Sequence, residues 1–271
     1  MKMFYVRMLA MVFAIAAFIG VNSVNASAAV EPDWANKVVQ VVGMGAQPAN
    51  AVNPAQARMM ARRAAVADAY RQLAESIKGV NVDAENTVEN MMVTSDVVKT
   101  KVNAMIQGAV VVSEKEIPGG GYEVTMQVPI FGVQNSIASA VITAPTVPES
   151  FPTPTASVPS SGGYTGLIID CRGLGLKPVM SPVIKNDSGV SIYGHKNIDT
   201  AKVISNGMAD YVYDPSNGAG RAGSNPLIIK AVSLEGVYRG NPVVSSADAN
   251  RILAENNASH FLENTNVVFV R

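Results

Sequence analysis

Cysteine and histidine are nearly missing from this chain: Cys171 stands alone, and His195 and His260 are the only histidines. One thiol cannot close an internal disulfide, so stability must come from packed cores, and 271 residues have room for two modest domains. Two histidines and one cysteine at unrelated spacings do not supply a zinc set. No G-x-S-x-G elbow occurs, and Cys171 at the end of a strand-like run reads as a small buried residue rather than a nucleophile. Charge is sparse as well: charged residues make up 15% of the chain and the formal net charge is zero, which excludes the basic footprint of a nucleic-acid binder. The acidic residues are scattered, and Asp187 and Asp214 sit in turns where carboxylates serve the backbone.

Long apolar runs are also lacking after the first residues. The chain opens with Lys2 and Arg7 ahead of an apolar stretch from Met8 to Val21, followed by Ala26 and Ala28 in an A-x-A arrangement. This is the pattern of a secretory signal peptide, residues 1–28, and no later segment is apolar enough to span a bilayer. Its removal takes two cations and no acid, leaving a net charge of about −2. With no cysteine near that cleavage point, a lipid anchor is not expected. The expected destination is the periplasm or cell envelope.

Two glycine runs imitate cofactor motifs. Gly218, Gly220 and Gly223 in "DPSNGAGRAGSNP" have G-x-G-x-x-G spacing, but Ser224, Asn225 and Pro226 follow where a phosphate-binding helix should open. The sequence favours a long mobile turn between strands. In "DCRGLGLKP" the lysine is followed by Pro178 and no helix, so a phosphate loop fails too. No cofactor and no metal is expected.

Between Pro145 and Gly163, five prolines among Ser and Thr read as a semi-rigid linker, which places the domains at about 29–144 and 164–271. In the first, "NKVVQVVGMGA" is a strand, Asn53 caps a helix, Pro54 opens it, and Gly79 closes it. Val66, Tyr70, Leu73 and Ile77, extended by Met59 and several alanines, form its apolar stripe, and the alanines suggest close contact with a sheet. A second helix is expected across 84–102, then two strands joined at Pro118–Gly121, the second of which alternates apolar and polar residues. Its polar side faces water or another subunit.

In the second domain "YTGLIID", "DYVY", "PLIIKAVSL" and "NVVFVR" read as strands, with a hairpin turning at Asn186–Gly189. A short helix is bounded by Asp199 and Gly207, and another is capped by Ser245 or Ser246. Both domains are therefore α+β, the first a helix layer on one antiparallel sheet.

The residues best placed for electrostatic contact with a partner are Arg58, Arg62 and Arg63 on the first helix, continued by Arg71, and Arg172 and Arg221 in the two glycine-rich loops. For the first group a solvated helix face, snorkelling over apolar neighbours, is the favoured reading over a docking surface for an anionic lipid or polyanion.

The stretch "GMGAQPANAVNPAQARMMARRAAVADAYRQLAESIKGV" with the later "GGGYEVTMQVPIFG" resembles the bacterial LPP-twenty (LPP20-like) envelope lipoproteins and related flagellar assembly proteins, over about residues 38–132. The resemblance implies a secreted α+β module, a role in the cell envelope and no enzyme activity. Members are often lipidated, and this chain departs from them in lacking a cysteine directly after its expected cleavage point. The second domain is similar to a C-terminal module that accompanies such proteins.

Two functions follow as expectations. The first is a non-catalytic structural or assembly component working with envelope proteins or as a homo-oligomer. The alternative is a binding module for a small ligand or envelope polymer, its site formed by loops 171–178 and 214–225.

Overall fold

The computed structural model describes residues 30–143 and 148–271; the expected signal peptide and residues 144–147 of the proline-rich stretch lie outside them. The first domain contains β1 (Val38–Gly45), α1 (Pro54–Lys78), α2 (Val88–Thr94), α3 (Asp96–Gln107), β2 (Val110–Ile117), β3 (Gly121–Pro129) and α4 (Ile137–Val141). The strands form one antiparallel sheet in the order β1-β3-β2.

Helix α1 begins where its caps direct. The side chain of Asn53 accepts a bond from the Gln56 N–H at 2.8 Å, and Pro54 occupies a first-turn position whose N–H would have no partner. The residues turned to the sheet are Ala57, Ala61, Ala65 and Ala69, with Leu73 and Ile77 completing the stripe, while Val66 and Tyr70 flank it half-buried. The opposing strand explains why the smallest side chains are central. Gly43 and Gly45 on β1 lie directly under the helix, and a Cβ on Gly43 would stand 2.7 Å from Ala69 Cβ and nearer still to the Ala65 carbonyl and Ala69 amide. Two glycines facing four alanines bring the helix backbone down onto the sheet.

The expected second helix is two helices. Asp83 accepts bonds from the Glu85 and Asn86 amides, so this Asx turn delays the start to Val88, behind the Thr87 cap. The helix then breaks at Ser95, which is extended (φ −143°) and caps α3 through Val98 N–H. The expectation that the strand "TMQVPIF" offers a side to another subunit is qualified by topology. That strand is β3, hydrogen-bonded on both edges; the edge strands are β1 and β2, and β2 is the more exposed of the two.

The second domain contains β4 (Gly166–Asp170), β5 (Ile184–Asn186), β6 (Ser191–Tyr193), α5 (Thr200–Asn206), β7 (Asp210–Val212), α6 (Ala219–Ala222), β8 (Pro226–Lys230), β9 (Ser233–Glu235), β10 (Asn241–Val244), α7 (Ser246–Ser259) and β11 (Val267–Val270). Its main sheet, β7-β11-β4-β8, is parallel throughout. Leu167, Ile168 and Ile169 are buried without alternation, as a strand covered on both faces requires. A smaller mixed sheet, β6-β5-β10-β9, packs beside it.

The glycine-rich segment 214–225 is not a mobile turn. A 3₁₀ turn over Pro215–Gly218 leads into α6, and Gly218 sits against Val268 and Ile168 of the parallel sheet. The helix starts between the glycines and lasts four residues, because it is a short crossover that covers the sheet with Ala222.

Residues 148–163 hold neither helix nor strand and lie along α7. Thr155 donates to Asn250, and Glu255, only 3% exposed, accepts from the Ser160 hydroxyl, the Ser161 amide and hydroxyl, and the Gly162 amide. Burial alone would raise the Glu255 pKa; these donors outweigh it and hold the carboxyl below its ordinary value. The folded pKa is depressed, so this contribution is present above the ordinary carboxyl range and fades as pH falls through the folded value. Limited proteolysis should therefore cut within 148–163 faster at acid pH, and faster at neutral pH in Glu255→Ala. Equal cutting in the variant and parent would remove this tether from the account.

The two domains are in direct contact. The Met180 and Ser181 amides donate to Asn81 and Val82 carbonyls at 3.1 and 2.8 Å, and Met180 is buried in the first core. Trp34, just before β1, stacks edge-on against Tyr211 of β7 with centroids 5.5 Å apart, and Tyr211 continues to Phe269 at 5.6 Å.

Candidate functional site

A cleft of about 470 Å³ lies where the domains meet. One wall is the start of β1 and the end of β3; the other is made by the segments that lead into β7 and β11. Arg221 organises the second wall. Its Nη1 donates to Asp210 at 2.8 Å and to the Asn206 carbonyl at 3.0 Å, its Nη2 to the Gly207 carbonyl at 2.6 Å, and its Nε to the Thr265 carbonyl at 2.6 Å. A planar guanidinium can serve this spread of acceptors; an ammonium cannot. Asp210 also receives Lys37 from the first domain at 2.9 Å, so one carboxylate joins the two walls.

The backbone on both walls is strained. Lys37 and Thr265 hold left-handed conformations with φ of 56° each, which is exceptional for a β-branched threonine. Each is held from outside itself: the Lys37 carbonyl accepts from Ile130 N–H at 2.8 Å and the Thr265 carbonyl from Arg221. Asn36, Asn206, Asn264 and Asn266 line the same space, and the side chains of Asn206 and Asn264 make no hydrogen bond among the described residues.

The arginines singled out by sequence fall into three places. Arg58 and Arg62 reach across to the edge strand, pairing with Glu116 at 3.0 Å and Glu114 at 2.8 Å. Arg71 pairs with Asp68 and Glu75 within α1, while Arg63 has no ion pair among the described residues. The cluster is thus mostly neutralised by carboxylates far along the sequence. Arg172 follows β4 and chelates Asp170 with Nε and Nη2 at 2.9 and 2.6 Å, which lowers the Asp170 pKa by that hydrogen bond first.

Arg172 and Arg221 do not share a site. Arg172 stands beyond the carboxyl ends of the parallel strands, whereas Arg221 contacts residues 206, 207, 210 and 265 at their amino ends. The single site expected from loops 171–178 and 214–225 is corrected by this geometry: α6 carries Arg221 back along the sheet. Lys37, Asp210 and the asparagines were missed by sequence reasoning, since a wall built from two domains leaves no local motif; only the turn-like "ENTN" at 263–266 hinted at it.

Cys171 is fully buried at the end of β4, and burial, aided by the Asp170 charge, pushes its thiol up to about 12. The thiolate is the reactive form and is absent at neutral pH. Ellman's reagent should leave the native protein unmodified and react with one thiol on unfolding; rapid native labelling would contradict the burial. His195 is shifted down by burial and by Lys196, and His260 is an exposed left-handed cap after α7. Among the described residues no group of three or more His, Cys, Asp or Glu is placed to hold a metal ion.

Comparison with known proteins divides the chain as the fold does. Residues 32–129 match the model of the LPP20 lipoprotein family, and residues 166–271 match that of the second domain of Treponema pallidum Tp0624. No curated protein matches the chain. No helix among the described residues is long and apolar enough to cross a membrane. The sheet, Ala-lined helix and glycine-bearing first strand of the first domain are thus the part of the chain that is similar to the LPP20 lipoproteins, a likeness that suggests an envelope-associated protein.

Proposed function

We infer that the protein is a non-catalytic assembly component of the cell envelope, exported to the periplasm, whose LPP20 domain joins a second copy of this chain through strand β2. The observation that carries this reading is the exposure of β2. Every residue from Val110 to Glu116 is exposed, Val110, Val111 and Val112 by 57, 37 and 45%, and one edge of the strand has no partner among the described residues. An unpaired edge with apolar side chains is a ready strand-pairing surface.

Its composition favours self-pairing in one register. Antiparallel pairing about a two-fold axis at Val111 sets valine against valine, whereas a register centred on Lys115 opposes Lys115 with itself and Glu114 with Glu116. Docking of the two domains makes the pair a rigid unit for further envelope partners. The flagellar base is one setting that the family resemblance suggests, and partners cross-linked in cells would identify it.

Light scattering on the exported chain tests the reading. The parent should be dimeric or larger, and Val111→Lys should be monomeric with an unchanged melting temperature. A strictly monomeric parent at high concentration, with no cross-link from position 111 in cells, would sink the self-assembly reading.

A further inference from the structure

The interdomain cleft has a chemistry distinct from the β2 edge. Its side chains are rich in amides and poor in free charge. Lys37 and Arg221 both bind the same Asp210 oxygen, so an anion entering the cleft would have to compete with an existing ion pair. An apolar ligand finds little to bury against, since the exposed lining is mainly polar and Phe131 supplies its one aromatic surface, with part of that ring already packed on Gly207.

What remains open are the amide groups of Asn206 and Asn264, with Asn266 beside them. Asn266 spends its Nδ2 on the Thr165 carbonyl at 3.0 Å and keeps its Oδ1 outside any hydrogen bond among the described residues. Each side-chain amide can donate twice and accept, and such groups match ligands whose hydroxyls both donate and accept at close spacing. The cleft is large enough for several sugar rings' edges, and its walls are fixed in advance by the cross-domain ion pair and by the strained backbone at Lys37 and Thr265. Walls already ordered lose little conformational freedom on binding.

We propose that the interdomain cleft lined by Asn206, Asn264 and Asn266 binds a neutral, hydroxyl-rich oligosaccharide, with Phe131 as the apolar surface beneath a sugar ring. This site places an envelope glycan against both domains at once. It is independent of self-association: a monomeric protein that binds sugar would overturn the β2 reading and leave this one standing.

The test uses the full-length exported chain titrated with cellotetraose, which carries hydroxyls alone, and chitotetraose, which adds acetamido groups. Binding of either should raise the melting temperature and shift the side-chain amide resonances of Asn206 and Asn264, and the stronger of the two identifies the sugar class. Asn206→Ala combined with Asn264→Ala should weaken binding by about tenfold or more, since hydrogen bonds to the ligand are lost. Neither side chain bonds elsewhere in the described protein, so the double variant should melt with the parent; should it not, the amide shifts of the parent decide. Absence of shifts with both sugars at millimolar concentration overturns the proposal, as does binding that the double variant retains in full or that inorganic phosphate abolishes.

Discussion

Replacing Gly43 with alanine should lower the stability of the chain by about 3 kcal/mol, the upper range for forcing extra volume into a close-packed contact. The added Cβ meets the Ala65 carbonyl, the Ala69 amide and the Ala69 Cβ, none of which can rotate away. Relief requires lifting α1 from the sheet, and α1 supplies Leu73 and Ile77 to the first core. Gly45 is in the same position, with Ala65 N at 2.5 Å and Ala64 Cβ at 2.9 Å from its built Cβ, so Gly45→Ala should act similarly. Against a total stability of about 5–15 kcal/mol, the two changes together remove a large share of it. Gly220→Ala is the control: nothing stands within 4 Å of its Cβ, and the effect should stay within about 0.5 kcal/mol. Urea denaturation checks all three. A Gly43→Ala protein as stable as the parent would mean that α1 does not rest on β1.

Arg221→Ala should cost about 2–3 kcal/mol, because it removes one of the two partners of the half-buried Asp210 carboxylate and leaves main-chain carbonyls unmatched. The Arg221 side chain is only 10% exposed and bonds three separate segments, those at 206–207, 210 and 265. Arg221→Lys should recover little, since a lysine ammonium cannot reach acceptors set in a fan. Lys37 would still neutralise Asp210, which separates the two terms: lost charge is partly compensated, lost carbonyl bonds are not. Trp34, the single tryptophan, stacks on Tyr211 one residue from Asp210, so its fluorescence should report loosening of the domain junction in this variant. A loss under about 1 kcal/mol with unchanged fluorescence would reduce Arg221 to an ordinary surface arginine.

Both predictions start from residues visible in the sequence whose roles were not. The spacing Gly43-x-Gly45 and the alanines of α1 were readable separately; that they face each other depends on β1 pairing with β3 and on the angle at which α1 crosses the sheet. The break at Ser95 was missed because the apolar stripe runs on through it, and periodicity does not register a cap that restarts a helix on the same face. Arg221 was marked for its charge and its glycine-rich surroundings. Its actual partners lie up to 44 residues away and at the opposite strand ends from Arg172.

The principal strands, the long helix α1 with its Asn53 cap, the Asp199 cap, a helix capped at Ser245 or Ser246, and the α+β character of both domains were determined by the sequence alone, because caps, turns and hydrophobic periods act over a few residues. The parallel pairing of β7, β11, β4 and β8, the exposure of β2, the neutralisation of Arg58 and Arg62, and the cleft between the domains were decided only by the tertiary structure. These are contacts between segments tens of residues apart. No local propensity encodes them; they follow from which apolar faces can be buried together once every strand has found its neighbour.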